Sequence, residues 1–384
     1  MTVRKRFKRL VRARAGITGE SYTTALRSFR RDAEESTMSN PKQPDTGNGV
    51  DHPSPALDVT PRSVMAALHE AGSTAKVTAC KPVKPPSENY LYEIDLDGSP
   101  ALLRVWWQAT VPQANAQLTL ERRLNSCGLP APAVIVPTQD VDLEIDGRPA
   151  AIVQCPEGGP GPNYVPRRAS ETYAALAEDI SRLAAMIHVS AMGLEGLDYR
   201  ETTWLENLES WTRDLDFSEA GDQGREVVAA VEATARRFRA FCDQEMLPTG
   251  VVHGGPGPWS VLVDGDRISA LLDLDAAHRD HLALDVAHII EQWSVVAHDE
   301  LMQRYDPALV RRIVRGYCGV RPLSTTERDA LAMAVPLRYA IERLRIWDHV
   351  GKGRMPFTWD EYLGWFALLD LSDSEEWRAL MAQA

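Results

Sequence analysis

The stretch Val251–Asp275, VVHGGPGPWSVLVDGDRISALLDLD, decides how the rest of the chain is read. Two valines lead into His253, and the pentapeptide GGPGP follows at 254–258. Two apolar runs, Val261–Val263 and Ile268–Leu272, flank Asp264-Gly265-Asp266, a turn signal. The pattern is strand, tight loop, strand, turn, strand, closed by the carboxylates Asp273 and Asp275. That is the layout of a phosphate-handling loop, in which a tightly turning backbone and hard oxygen ligands hold a metal-bound phosphate. Yet the centre of this loop carries glycine and proline where such chemistry calls for a carboxylate.

A chain of 384 residues is long enough for two domains or for two lobes of one. Hydrophobic residues at 44% and charged residues at 25% predict a globular protein, and no run of 18 apolar residues predicts a membrane span. The basic N-terminus lacks the apolar core of a secretory signal. Cys80, Cys127, Cys155, Cys242 and Cys318 have no CxxC spacing, which points to a reducing, cytoplasmic compartment and to small buried cysteines. The net charge of −12 is uneven: residues 1–37 hold ten Lys/Arg against four Asp/Glu, and the remainder holds 32 against 50. An acidic body is a poor nucleic-acid binder, so any such binding falls to the tail.

Residues 1–57 read as a basic amphipathic tail and a flexible linker. In the tail, Tyr22, Ala25, Leu26 and Phe29 share one helical face. The linker, TMSNPKQPDTGNGVDHPSP, is polar and rich in proline and glycine. Residues 58–158 read as a small β-rich lobe: a helix at PRSVMAALHEAG, a hairpin turning at Asp97-Gly98, a helix ending at Gly128, and a second hairpin turning at Asp146-Gly147. PEGGPGPNYVP is a breaker-rich connection. Residues 159–384 read as a larger lobe of long helices with one small sheet, which holds the opening stretch. GGPGP also occurs at 158–162, but with different flanks, so no internal repeat is expected.

With these elements in order, residues 58–370 resemble the aminoglycoside-phosphotransferase and choline-kinase-like family, relatives of protein kinases. The segments that carry the resemblance are His253–Ser260 with Asp273-Leu274-Asp275, HLALDVAHII with Asp285, SRLAAMIHVSA with His188, and SENYLYEIDLDGSPALLRV. The resemblance implies an α+β, bilobal protein-kinase-like fold with a small β-rich N-lobe and a larger helical C-lobe, here preceded by a basic extension. It implies ATP and Mg²⁺ as cofactors. ATP would sit under the hairpin around Ser87–Tyr92, near Asn89, with Arg104 on its phosphates and Asp273 on the metal; Asp275 is a weaker second metal candidate. A helix residue should steady Arg104. Counting back from GLPAP puts Gln117 at that position and leaves Glu121, one turn on, as a solvated face. Gly255 stands where the family has its catalytic aspartate and Ser260 where it has a metal-binding asparagine. His253 resembles a structural loop histidine, with a substitute-base role as the sharper alternative. Asp285 resembles the residue that braces the loop.

No GxxxxGK[ST], HExxH or GxSxG motif competes with this reading. Two functions stay open. The first is a phosphotransferase, active or weakened, acting on a hydroxyl of a small molecule or peptide, with Trp347, Trp359 and Trp365 near an acceptor pocket or in the core. The second is a pseudokinase that binds nucleotide or a protein partner, such as another enzyme of natural-product or peptide tailoring. Gln117, Gly255 and Ser260 count as three departures that favour impaired chemistry, and Arg104 and Asp273 favour retained nucleotide binding.

Overall fold

The computed structural model describes residues 57–83, 89–107, 109–162, 166, 169–195, 208, 212–213, 215–297, 303–344, 347–351 and 358–384. The basic tail, nearly all of the linker and Ser87 lie outside them. Among the described residues no helix is long and apolar enough to cross a membrane.

The small lobe begins with helix α1 (Pro61–Glu70), capped by the Thr60 hydroxyl, which accepts from Ser63 N at 3.2 Å. Strands β1 (Val77–Pro82), β2 (Asn89–Leu96), β3 (Ser99–Trp106), β4 (Val134–Val136), β5 (Glu144–Ile145) and β6 (Arg148–Gln154) form an antiparallel sheet. Its order is β1-β2-β3-β6-β4, with β5 paired to β6. Both Asp-Gly turns are left-handed, at Asp97 and Gly98 (φ 51° and 83°) and at Asp146 and Gly147 (φ 52° and 67°). This twist suits a two-residue hairpin. Inward residues such as Ile94, Leu103 and Ile152 pack on Val64 and Leu68 of α1.

Helix α2 (Val111–Ser126) has three useful stripes. Ala114 and Leu118 pack on the sheet beside Trp106 and Ala151. Ala116, Leu120 and Leu124 join the core of the larger lobe. Gln117 and Glu121, four residues apart and so on one face, are both buried polar side chains. One helix thereby joins the sheet to the larger lobe's core and presents a polar edge to the cleft.

The larger lobe contains α3 (Glu171–Ser190), α4 (Gly221–Glu245), α5 (Ala283–Trp293), α6 (Pro307–Cys318) and α7 (Thr325–Leu344) around one apolar core. Trp347 is buried in it, with its ring centroid 4.8 Å from that of Trp359; Trp365 lies against the same core. Where one small sheet is expected, three are found among the described residues. Strands β7 (Gly159–Pro160), β9 (Val261–Asp264) and β10 (Arg267–Leu271) form one, β8 (Thr249–Val252) with β11 (His278–His281) forms the second, and β12 (Val295–Ala297) with β13 (Gln303–Tyr305) forms the third.

The breaker-rich connection therefore does more than link the lobes. Its Gly159 and Pro160 pair with Val263 and Leu262, and Gly161 N donates to Val261 O at 3.1 Å. A Cβ on Gly161 would lie 2.0 Å from Pro258 O. The two GGPGP segments are thus in contact, and their glycines permit an approach that any side chain would block. The cysteine expectation also needs correction. Only Cys242 is buried; Cys127 is exposed, and Cys80, Cys155 and Cys318 are intermediate, all as free thiols.

Candidate active site at the interlobe cleft

Arg104 lies on β3, which runs between β2 and β6, so its side chain is buried rather than at a sheet edge. Its Nη1 meets Glu121 Oε1 at 2.6 Å. This corrects the expected pairing with Gln117. The physical reason is a register between strand and helix. Arg104 and Trp106 share a face of β3, about 6.6 Å apart at the usual strand rise. One turn of α2 separates Gln117 from Glu121 by about 6 Å. The helix docks so that Glu121 meets Arg104, and Gln117 Oε1 accepts from Trp106 Nε1 at 2.5 Å. Glu121 is 2% exposed, so it is no solvated face. Burial pushes the Glu121 carboxyl up. Burial also works against the Arg104 charge, but Glu121 and then Asp275 outweigh it and raise the guanidinium. The 2.6 Å contact sets the pair in its charged form. Among the described residues the buried Glu121 Oε2 has no hydrogen-bond partner.

The loop from His253 to Ser260 is held from below by one carboxylate. Asp285, near the start of α5, accepts from His253 N at 2.6 Å and from Gly254 N at 3.0 Å. His188 of α3 adds Nε2 at 3.1 Å to the same carboxylate, and its Nδ1 lies 2.7 Å from Tyr317 Oη. Burial alone would raise the Asp285 carboxyl. The hydrogen bond from His188, with the charges of His188 and His253, overrides it and holds the group well below the usual carboxylate range. Gly254, at φ 83°, is required where it stands, because a Cβ would lie 2.3 Å from Ala276 O.

The expected catalytic residues are placed as follows. His253 is fully buried; its Nε2 reaches Leu272 O at 3.0 Å and its Nδ1 accepts from Gly255 N at 3.3 Å. Burial holds its pKa below the ordinary imidazole value. Both ring nitrogens serve the backbone, so the ring shapes the loop and leaves no atom for a substrate proton. Gly255 is half-buried, and a Cβ there would meet nothing within 4 Å. Ser260 is fully buried and its hydroxyl donates to Gly257 O at 2.7 Å. Its hydroxyl closes the loop's final turn by donating to the backbone.

Asp273 is exposed, in the left-handed region at φ 57°. For a residue other than glycine this backbone is uncommon and marks functional or tightly constrained turns. Asp275, two residues on, turns to the small lobe. Its carboxylate accepts from Asn89 Nδ2 and lies 3.6 Å from Arg104 Nη1, and its carbonyl accepts from Gln117 Nε2 at 3.3 Å. The structure thus gathers Asn89, Arg104, Gln117, Glu121 and Asp275 at one edge of the cleft.

A cavity of about 10 Å³ lies behind the loop, walled in part by Gly254, His278, Asp280, His288 and Arg338. It has room for about one water. The sequence reading missed these buried polar groups. The signal was the His278-Arg279-Asp280 alternation, which puts two polar side chains on the inner face of β11. His278 Nε2 lies 3.4 Å from Asp280 Oδ2.

Residues 79–332 match the model of the phosphotransferase enzyme family. A homoserine kinase of Brucella anthropi is 32% identical over 245 residues, 62% of this chain and 69% of that protein. A choline/ethanolamine kinase family protein from Mesorhizobium loti superposes with a TM-score of 0.56 at 14% identity, covering 84% of this chain and 98% of that one. An amicoumacin kinase in complex with AMP-PNP, Ca²⁺ and Ami superposes with a TM-score of 0.54 at 15% identity, covering 77% of this chain and 88% of that one. The architecture is the bilobal, protein-kinase-like one of these structures.

Proposed function

The chain belongs to the phosphotransferase enzyme family, and from that premise we propose that it binds ATP with Mg²⁺ and passes a phosphoryl group, slowly, to a hydroxyl of a small molecule. The observation that carries the nucleotide half is the buried Arg104–Glu121 pair beside the exposed Asp273. A phosphoryl transfer site works mainly by positioning and charge neutralisation, and a steadied cation with a nearby carboxylate supplies both. The name of the Brucella anthropi relative supports an amino alcohol as acceptor.

The residues suit a nucleotide-borne metal. Among the described residues no cluster of three or more His, Cys, Asp or Glu stands ready for a metal. Mg²⁺ commonly takes only one or two carboxylates and completes its shell with phosphate and water. Asp273 offers hard oxygen for it, while the Asp275 carboxylate is turned to Asn89 and Arg104. Bound there, the ion would neutralise charge on the phosphoryl oxygens. Arg104 would orient the nucleotide's phosphates with a fork fixed by Glu121. Asp285 would hold the loop's backbone through His253 and Gly254. The expected division at about residue 158, with nucleotide on one side and acceptor on the other, belongs to the same proposal.

Two features weaken the transfer half. Gly255 has no side chain to receive the hydroxyl proton, and Ser260 directs its hydroxyl into the loop. With Gln117 relieved of its assumed duty, the departures number two rather than three. The same two features favour a second reading, a nucleotide-binding module without turnover. Thermal unfolding with ATP, with and without Mg²⁺, followed by ADP release against a panel of amino alcohols, decides between them. A Mg²⁺-dependent shift with slow, acceptor-dependent ADP release is the expected result. A shift without turnover selects the second reading, and no shift at all removes both.

A further inference from the structure

We propose that Asp275 is a positioning residue that occupies Arg104 before nucleotide arrives, and so makes the cleft favour metal-bound over metal-free nucleotide. The inference rests on the reading that Arg104 receives nucleotide phosphates. One residue of the larger lobe makes three contacts with three elements of the smaller lobe. Its carboxylate takes Asn89 Nδ2 of β2 and faces Arg104 Nη1 of β3 at 3.6 Å; its carbonyl takes Gln117 Nε2 of α2 at 3.3 Å. The short 3₁₀ turn Leu274–Ala276 that carries Asp275 is anchored by buried Leu274 in the larger lobe's core, so these contacts tie one lobe to the other.

The charge balance gives the latch its selectivity. A single guanidinium stands between two carboxylates, Glu121 at 2.6 Å and Asp275 at 3.6 Å, with side chains 2% and 19% exposed. Asp273 adds to the field at Arg104. A nucleotide's phosphates approach a site whose cation is already more than neutralised. In a partly dry cleft such like-charge repulsion is screened far less than in water. Phosphates that come with a divalent cation meet the same carboxylates with part of their charge cancelled. Asp275 therefore penalises the metal-free form most. Loss of its charge alone should relieve that penalty and leave the metal-bound form nearly untouched.

Asp275→Asn keeps the shape and removes the charge; Asn89→Ala removes one latch contact and leaves the charge. The measurement is the Kd of ATP for the full chain by calorimetry, with Mg²⁺ and with EDTA. Asp275→Asn should tighten metal-free ATP by about three- to tenfold, the range of one partly buried ion pair, and change the Mg²⁺ value by less than about twofold. Asn89→Ala should leave the ratio of the two constants where it was. An unchanged ratio in Asp275→Asn overturns the proposal, as does an equal change of ratio in both variants, which marks a brace without a charge role. Should the wild type bind no ATP in either condition, the nucleotide reading itself fails. The latch is then read alone from amide hydrogen exchange: faster exchange in β2 and β3 of nucleotide-free Asp275→Asn supports it, and unchanged exchange overturns it.

Discussion

Restoring a carboxylate at position 255 is the sharpest perturbation of this site. A Cβ on Gly255 meets no heavy atom within 4 Å, and the residue is outside the left-handed backbone region. Position 255 therefore accepts a Cβ without clash or backbone strain, unlike the neighbouring Gly254. The position is half-buried, so the new carboxylate keeps contact with solvent and stays ionised at neutral pH. A positioned general base contributes roughly 10²–10⁴-fold to rate, or about 2.7–5.4 kcal/mol of barrier. A loose transition state leans less on early proton removal, so the lower end of that range is expected here. Gly255→Asp should raise kcat for ADP release about 10²-fold, with the KM for ATP within about twofold. The Tm should stay within about 3 °C of wild type. Ser260→Asn should come second, since an asparagine in a fully buried site that also loses the Gly257 contact costs on the order of 1–3 kcal/mol. A folded Gly255→Asp variant that binds Mg²⁺–ATP as wild type does, yet shows no gain in turnover, refutes the claim that the missing carboxylate limits transfer.

Further outcomes follow from the same geometry. Glu121→Ala leaves a buried guanidinium with a weakened partner set and should cost about 3–5 kcal/mol in urea unfolding. Gln117→Leu removes the acceptor of the Trp106 indole N–H and the donor to the Asp275 carbonyl and should cost about 1–2 kcal/mol; the reverse ranking would contradict the observed pairing. Gly161→Ala drives a Cβ to 2.0 Å from Pro258 O and should lower stability by more than about 2 kcal/mol. Wild-type stability there would show that the two GGPGP segments do not touch. Burial depresses the His253 pKa below its ordinary value. The unfolded chain then takes up a proton there before the folded one does. Stability from this group is full above about pH 6.5 and falls as pH drops from that value toward the folded pKa. Tm measured from pH 7.5 to 5 should show this loss in wild type, with a shallower slope in His253→Asn.

The limits of sequence reading here are physical and local. Both hairpin turns were legible because Asp-Gly is one of few pairs that tolerates two successive left-handed residues. The loop's underside was legible too, since His188 and Asp285 sit in recognisable surroundings. What the chain does not state directly is how a helix docks along a strand. Gln117 and Glu121 share one stripe of α2, and Arg104 and Trp106 share one face of β3. The two spacings nearly match, so two registers satisfy the geometry equally. Counting from the end of α2 cannot separate them, because it measures position along the helix and not against the sheet. Chemistry does separate them. In one register the guanidinium meets the carboxylate and the indole N–H meets the amide oxygen. In the other, shifted by one turn, Arg104 is buried against a neutral amide with Asp275 as its remaining carboxylate, and Glu121 slides past it along β3 to lie buried without its counter-charge, at a cost of several kcal/mol. Trp106 was the signal: a buried indole two residues from the arginine demands its own acceptor, and assigning that acceptor first places Glu121 on Arg104.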